Sequence, residues 1–241
     1  MNPSDIAYVA QLCHSLGRFD ESVEFISQLA QSKPVFERDE RQLFGLVFKS
    51  AIDPVRQTLR TLSEYKSNIT NPKHMEAFEL SYQSSFEKLE SLCKVCHHLV
   101  SDILLPASDS PHNIACFEKL RGDLFRYILE FANFEQIDEL TQQATKAYSR
   151  ALDIANANLP NADPLKLGVV LNFAVFKYEY LKEIENAKEM VQNAIKEYQS
   201  DSEKLTPASQ KEAINVIGVM QSNLISWSEA SLEEESEEDT E

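Results

Sequence analysis

Apolar residues recur at the spacing of an α-helix along almost the whole 241-residue chain. The chain also contains only five glycines, whereas an average protein of this length has roughly three times as many. Few glycines leave few tight turns, which argues against a β-sandwich or a β-barrel. The pattern therefore predicts an all-α fold with a substantial core, in one large helical domain or two small ones.

Proline, glycine and capping residues divide the pattern into nine helices. Ser4 is a predicted N-cap, Gly17 is predicted to close the first helix, and Asp163-Pro164 supplies an N-cap followed by proline at the first helical position. Pro54 lies inside the third helix and should kink or interrupt it. Short connections predict antiparallel packing of consecutive helices. The predicted helices cover residues 4–16, 20–31, 38–67, 72–105, 111–133, 136–159, 164–183, 185–201 and 207–230.

The chain carries a formal charge of -16, and half of that charge lies at its C-terminal end. Residues 229–241 contain eight acidic residues and no basic one. We therefore expect a helical domain over residues 1–230 and a disordered acidic tail over residues 231–241. This tail could compete for a cationic groove or simply keep the chain soluble.

Several functional classes are disfavoured by the sequence. The acidic charge argues against nonspecific nucleic-acid binding, and neither a P-loop nor a dinucleotide-binding fingerprint is found. No apolar run is long enough to span a membrane, and the N-terminus has no secretory signal pattern. Four cysteines are too few for a disulfide scaffold. We expect a cytoplasmic or nuclear protein with free thiols and no membrane partner.

Lys49, Arg56 and Arg60 are separated by seven and four residues, which places them on one stripe of the third helix. Such a stripe can be a solvated basic face or part of an anion site. The sequence alone favours the solvated face.

A second basic set contains Lys119, Asp123, Arg126 and Tyr127. Lys119 and Arg126 share a helix face, and Asp123 is within reach of Arg126. Arginine suits phosphate because its planar group donates two parallel hydrogen bonds. A structural ion pair beside a core tyrosine would also explain these residues.

Two further stripes combine apolar residues with amides. Asn172 and Glu179 are seven residues apart in an apolar run that includes Leu171 and Val175. A buried amide needs partners, and it can pair with a peptide backbone or with the protein core. The last helix carries a similar stripe, formed by Val216, Val219, Asn223 and Trp227.

The segment Cys93-Lys94-Val95-Cys96-His97 has the spacing of haem, redox or zinc motifs. It lies in the middle of a predicted helix, without a second cysteine pair. Buried free thiols explain it better, and the histidines fit no metal or triad spacing. We therefore predict no cofactor, no metal site and no catalysis.

Four segments resemble the 14-3-3 family, in order and with similar spacers, over essentially the whole chain. They are residues 48–60, 119–127, 164–179 and 223–227. The resemblance implies a cup-shaped protomer of nine antiparallel helices with an amphipathic groove. It also implies an adaptor that binds phosphoserine or phosphothreonine peptides and clamps, masks or bridges phosphorylated clients.

The resemblance implies roles for individual residues of this chain. Lys49, Arg56, Arg126 and Tyr127 match the family's phosphate-binding positions, and Asp123 matches the carboxylate that orients the arginines. The remaining matches line the groove, where the two asparagines hold the peptide backbone. They are Lys119, Asn172, Glu179, Asn223, Leu171, Val175, Val216, Val219 and Trp227.

The resemblance further implies a homodimer or heterodimer formed through the N-terminal helices, with Arg18 in the dimer-forming turn. Some positions depart from the family pattern. Val55 replaces the first of two paired arginines, and Asp53-Pro54 replaces a small flexible stretch. Asn215 and Ser226 stand where leucines are usual, which implies an altered peptide preference. A TPR-like helical-repeat scaffold for unmodified peptides is the alternative, and a thiol-dependent redox or metal enzyme is a third reading.

Overall fold

The computed structural model describes residues 1–238, and within them the chain forms nine long α-helices, a few short helical turns and no strand, which confirms the all-α prediction. We label the helices α1 to α9. Their bounds are α1 Pro3–Ser15, α2 Phe19–Ser32, α3 Arg38–Tyr65, α4 Pro72–His98, α5 Pro111–Leu129, α6 Phe134–Asn158, α7 Pro164–Phe176, α8 Ile184–Asp201 and α9 Pro207–Glu238. Two of them continue as π-helical turns, α4 through Leu99–Leu104 and α7 through Lys177–Leu181.

Local capping chemistry sets most of the helix ends. The Asp163 carboxylate accepts a hydrogen bond from the backbone N–H of Leu165 at 2.9 Å, which satisfies an unpaired donor of the first turn of α7. Gly17 follows α1 with a φ of 71°, in the left-handed region that favours glycine. The prediction of Ser4 as the N-cap of α1 is wrong. Asn2 is the N-cap, and its side-chain oxygen accepts a hydrogen bond from the backbone N–H of Asp5 at 2.9 Å.

Pro54 does not interrupt α3, contrary to the sequence prediction. A proline inside a helix costs roughly 3 kcal/mol, but buried residues on both sides hold this helix in place. Ile52 precedes the proline and is 1% exposed, and Leu59 follows it with no exposed surface. Packing of the apolar face therefore outweighs the lost backbone hydrogen bond.

Two predicted helix ends lie too early in the chain. The helical backbone after α4 continues through Pro106 to Ala107, because proline is tolerated in the first turn of the short helix Leu105–Ala107. α9 extends to Glu238 instead of ending near Ala230, and no glycine or proline follows Trp227 to stop it. The last three residues of the predicted tail, 239–241, lie outside the described residues.

The chain divides into two compact units. The first contains residues 1–113 and 120–144, and the second contains residues 114–119 and the chain from Thr145 onward. In the first unit α1 packs on α2, and α3 packs on both α2 and α4. In the second, α7, α8 and α9 pack on one another. Short connections between contacting neighbours give the antiparallel arrangement of helical bundles.

An aromatic cluster forms part of the core of the second unit. Tyr148 of α6 stacks on Phe173 of α7, with ring centroids 5.6 Å apart. Phe176 lies 5.5 Å from both Tyr148 and Tyr180, and none of its surface is exposed. These contacts hold α6 and α7 together.

Truncation of this cluster should destabilise the protein. We expect Phe176→Ala to lower the free energy of unfolding by about 3–5 kcal/mol, because it removes a fully buried ring and leaves a cavity. Phe134→Ala is the matched control, since Phe134 is 91% exposed, and it should change stability by about 0.5 kcal/mol or less. Urea unfolding followed by circular dichroism measures both. Equal losses in the two variants would contradict this assignment of the core.

Candidate functional site

α3 presents its three basic side chains in two different environments. Lys49 and Arg60 are exposed to solvent. Arg56 is buried, with only 10% of its side chain accessible. The predicted stripe is therefore uneven, with its central cation inside the protein.

Glu130, which directly follows α5, accepts hydrogen bonds from both arginines of α3. Arg56 donates to Glu130 Oε2 from Nε at 3.0 Å and from Nη2 at 2.6 Å. Arg60 Nε donates to the other carboxylate oxygen, Oε1. Arg56 Nη1 also lies 3.4 Å from Asp53 Oδ1. Among the described residues these contacts use three of the five N–H groups of Arg56, and two remain for another acceptor.

The second half of the site comes from α5. Asp123 is buried, with 3% of its surface exposed. Its Oδ1 atom lies 3.8 Å from Arg126 Nη2, an ion-pair distance that is too long for a hydrogen bond. The two residues are three positions apart on one helix face. This carboxylate therefore lies where it can restrain the Arg126 guanidinium electrostatically.

The ring of Tyr127 joins the two halves. The Arg56 guanidinium carbon lies 4.1 Å from the ring centroid, and the Arg126 guanidinium carbon lies 5.1 Å from it. Both distances are within the range of cation–π attraction. The structure thus brings Arg56, Arg126 and Tyr127 together, while Lys49 lies about two helical turns from Arg56 on α3.

Tyr127 keeps its hydroxyl proton. Burial raises the pKa of this phenol well above the ordinary value of about 10, and the Asp123 carboxylate raises it further. The positive charges of Arg126 and Arg56 act in the opposite direction but are smaller effects. A protonated hydroxyl beside two guanidinium groups can donate a hydrogen bond to an anion.

The other predicted site residues belong to the second unit. On α7 and its π-helical turn, Leu171, Asn172 and Val175 are half-buried and Glu179 is exposed. The side chain of Lys119 passes close to α7, since a Cβ added at Gly168 would lie 3.8 Å from Lys119 Cε.

The predicted site residues of α9 differ in how much of each is exposed to solvent. Val216 and Asn223 are half-buried, and Val219 is 50% exposed. Trp227 is 7% exposed and stacks on Tyr178 with ring centroids 4.6 Å apart. Most of this indole ring therefore contributes to the core of the second unit.

Glu130 is the residue that the sequence reasoning missed. It follows Arg126 by four positions, the spacing of neighbours on a helix face, but that spacing does not point to α3. Its actual partners, Arg56 and Arg60, are 74 and 70 positions away in the sequence. No local pattern identifies such a partner.

The Cys-x-x-Cys segment lies inside α4, and both thiols are free and buried. Burial raises the pKa of Cys93 to about 12 and the pKa of Cys96 well above its ordinary value. A thiol that stays protonated is a poor nucleophile and a poor metal ligand. No helix among the described residues has the length and apolarity needed to cross a bilayer.

The described residues form a helical protein in which two arginines, Arg56 and Arg126, lie against a buried tyrosine. Comparison with known proteins gives the family. The model of the family described as "14-3-3 protein" matches residues 9–228. The chain belongs to the 14-3-3 family, whose members are adaptor proteins.

Individual relatives match over most of their length. A 14-3-3 protein of Eimeria tenella is 31% identical, and the match covers 91% of this chain and 85% of the relative. The checkpoint signal transducer rad25 of Schizosaccharomyces pombe is also 31% identical, with 91% and 83% covered. The 14-3-3-like protein GF14 epsilon of Arabidopsis thaliana is 31% identical, with 97% and 92% covered.

The raised pKa of Tyr127 can be tested by alkaline titration. In native protein between pH 9 and 11, Tyr127→Phe should leave the phenolate absorbance at 295 nm unchanged, because Tyr127 stays protonated. In urea the same variant should lose one of the eight tyrosine signals. The contribution of Tyr127 to stability is complete below the unfolded pKa of about 10 and is lost as pH rises through the raised folded value. A smaller native signal in the variant would contradict the assignment.

Proposed function

We propose that this protein binds phosphoserine- or phosphothreonine-containing segments of client proteins and acts as a non-catalytic adaptor that clamps, masks or bridges them. The observation that carries the proposal is that the guanidinium groups of Arg56 and Arg126 both lie against the ring of Tyr127. Membership of the 14-3-3 family supports it.

A phosphate group fits the chemistry of this cluster. It carries a charge of about -1.5 to -2 at neutral pH and three strong acceptor oxygens. Arg56 has two N–H groups without a partner among the described residues, Tyr127 is a protonated donor, and Lys49 adds an exposed cation. The phosphate can therefore be bound while Glu130 keeps its hydrogen bonds to Arg56.

We propose that residues of the second unit contact the client residues on either side of the phosphorylated residue. Asn172 and Asn223 supply amides that can both donate to and accept from a peptide backbone. Leu171, Val175, Val216 and Val219 supply apolar contact surface for client side chains. Asn215 and Ser226 are both exposed, and because they replace leucines they should favour more polar flanking residues.

Phosphate dependence is the direct test of this function. We expect a serine-phosphorylated peptide to bind and its unphosphorylated twin to bind at least about a hundredfold more weakly, because two charge-assisted hydrogen bonds of about 1.5–3 kcal/mol each are lost. Isothermal titration calorimetry or fluorescence anisotropy measures both affinities. Equal affinities would overturn the proposal and favour a scaffold for unmodified peptides.

A variant pair tests the assignment of the site. Arg126→Gln should weaken phosphopeptide binding by about tenfold to a hundredfold through loss of one charge-assisted contact. Lys94→Gln removes the same charge from a position where 71% of the side chain is exposed, and it should leave the affinity unchanged. The site assignment fails if both variants bind like the wild type.

We also propose that the protein dimerises through its N-terminal helices. Tyr8 and Leu12 of α1, and Leu16 directly after it, follow one another at four-residue spacing and are all exposed, so that they form an unpartnered apolar face. Arg18, which follows α1, pairs with Glu21 of its own chain at 2.6 Å and keeps 57% of its side chain exposed.

Light scattering of the purified chain tests this dimer. We expect a mass of twice 27.4 kDa for the wild type and a monomer for the double variant Leu12→Glu/Leu16→Glu, because charges would be desolvated in the interface. Phe134→Glu/Ile137→Glu changes two other exposed apolar residues and should remain dimeric. A monomeric wild type would refute dimerisation without affecting the phosphate site.

A further inference from the structure

A small cavity in the second unit is lined by none of the residues assigned to peptide binding. Its volume is about 190 Å³, and its walls come from α6, from the connection to α7 and from α7 and α8. Sites for drug-sized ligands measure roughly 300–1,000 Å³. This cavity therefore suits a smaller molecule.

A buried lysine supplies the positive charge of this cavity. Lys166 is 7% exposed, and its ammonium donates to Asn161 Oδ1 at 2.8 Å. Among the described residues Asn161 is its one side-chain hydrogen-bond partner, and no carboxylate forms an ion pair with it. Asp163, the nearest acid in the sequence, caps the backbone N–H groups of Leu165 and Lys166 instead.

This arrangement leaves the ammonium under-compensated. A buried charge is ordinarily paired, and an ammonium has three N–H donors. A single amide oxygen satisfies one of them and carries no full charge. The lysine is thus able to receive an anionic oxygen that enters the cavity.

The other walls indicate what the anion is attached to. Leu167, Val170 and Met190 supply apolar surface, and the amides of Asn156 and Asn193 line the same cavity. Glu197 also lines it and is exposed. The cavity therefore holds a cation and an anion that do not pair with each other, together with an apolar wall.

A free α-amino acid has the complementary pattern. Its carboxylate matches Lys166, its ammonium matches Glu197, and an aliphatic side chain matches the apolar wall. A phosphate dianion fits less well, because one lysine would face two negative charges while Glu197 repels them. We propose that this cavity is a binding site for a free α-amino acid with an aliphatic side chain.

NMR titration of the full chain with L-leucine tests this site. We expect saturable shifts of backbone and side-chain amide signals of α6, α7 and α8 residues around the cavity. N-acetyl-L-leucine, which lacks the ammonium, and L-leucinamide, which lacks the carboxylate, should each bind about tenfold more weakly or worse, because each loses one charge-assisted contact. A lack of saturable shifts with L-leucine, or equal binding of either analogue, would overturn the proposal.

Three variants locate the binding. Lys166→Met removes the ammonium but keeps the rest of the side-chain length, and it should weaken L-leucine binding by about tenfold or more. Glu197→Gln lies at an exposed position and should abolish the preference for L-leucine over its N-acetyl form, which keeps the test valid if Lys166→Met fails to fold. Lys196→Gln, an exposed neighbour, should bind normally. Unchanged binding by both cavity variants would refute the site, and since L-leucine carries no phosphate, neither result bears on phosphopeptide binding.

Discussion

The hydrogen bonds from Arg56 and Arg60 to Glu130 hold together the part of the first unit on which the candidate phosphate site depends. One carboxylate accepts from both arginines, and so the end of α5 is tied to the middle of α3. Removing one partner of a buried ion pair costs about 3–5 kcal/mol, because the remaining charge is left uncompensated. Arg56, with 10% of its side chain accessible, could not keep its position without this partner.

The same contact prepares the site for a ligand. An arginine that is free in solution loses side-chain freedom when it binds, and that loss reduces affinity. Here Glu130 and the Tyr127 ring fix the Arg56 guanidinium before any ligand arrives. The carboxylate also repels an incoming anion, so net attraction depends on the further positive charges of Arg126 and Lys49. A chain with a formal charge of -16 can therefore attract an anion only where such cations are concentrated.

The sequence predicted the features that depend on neighbouring residues. Asp163 and Gly17 specify helix ends through local chemistry, and the all-α class follows from periodicity that extends through the chain. Features that depend on tertiary packing were missed or mispredicted. The helix through Pro54 is stabilised by a buried face whose partners come from other helices, and Glu130 becomes recognisable only when α3 and α5 are in place. The identities of Arg56, Arg126 and Tyr127 were available from the sequence, but the shared tyrosine ring was not.

The residues of α3 that depart from the family pattern, Pro54 and Val55, disturb the arginine cluster less than the sequence predicted. Val55 is 9% exposed and belongs to the core, so an arginine at this position would place an additional charge inside the protein. α3 continues through Pro54, and Arg56 still contacts Tyr127 two residues later. Arg60, about one helical turn after Arg56, donates to the other acceptor oxygen of Glu130 and remains exposed to solvent.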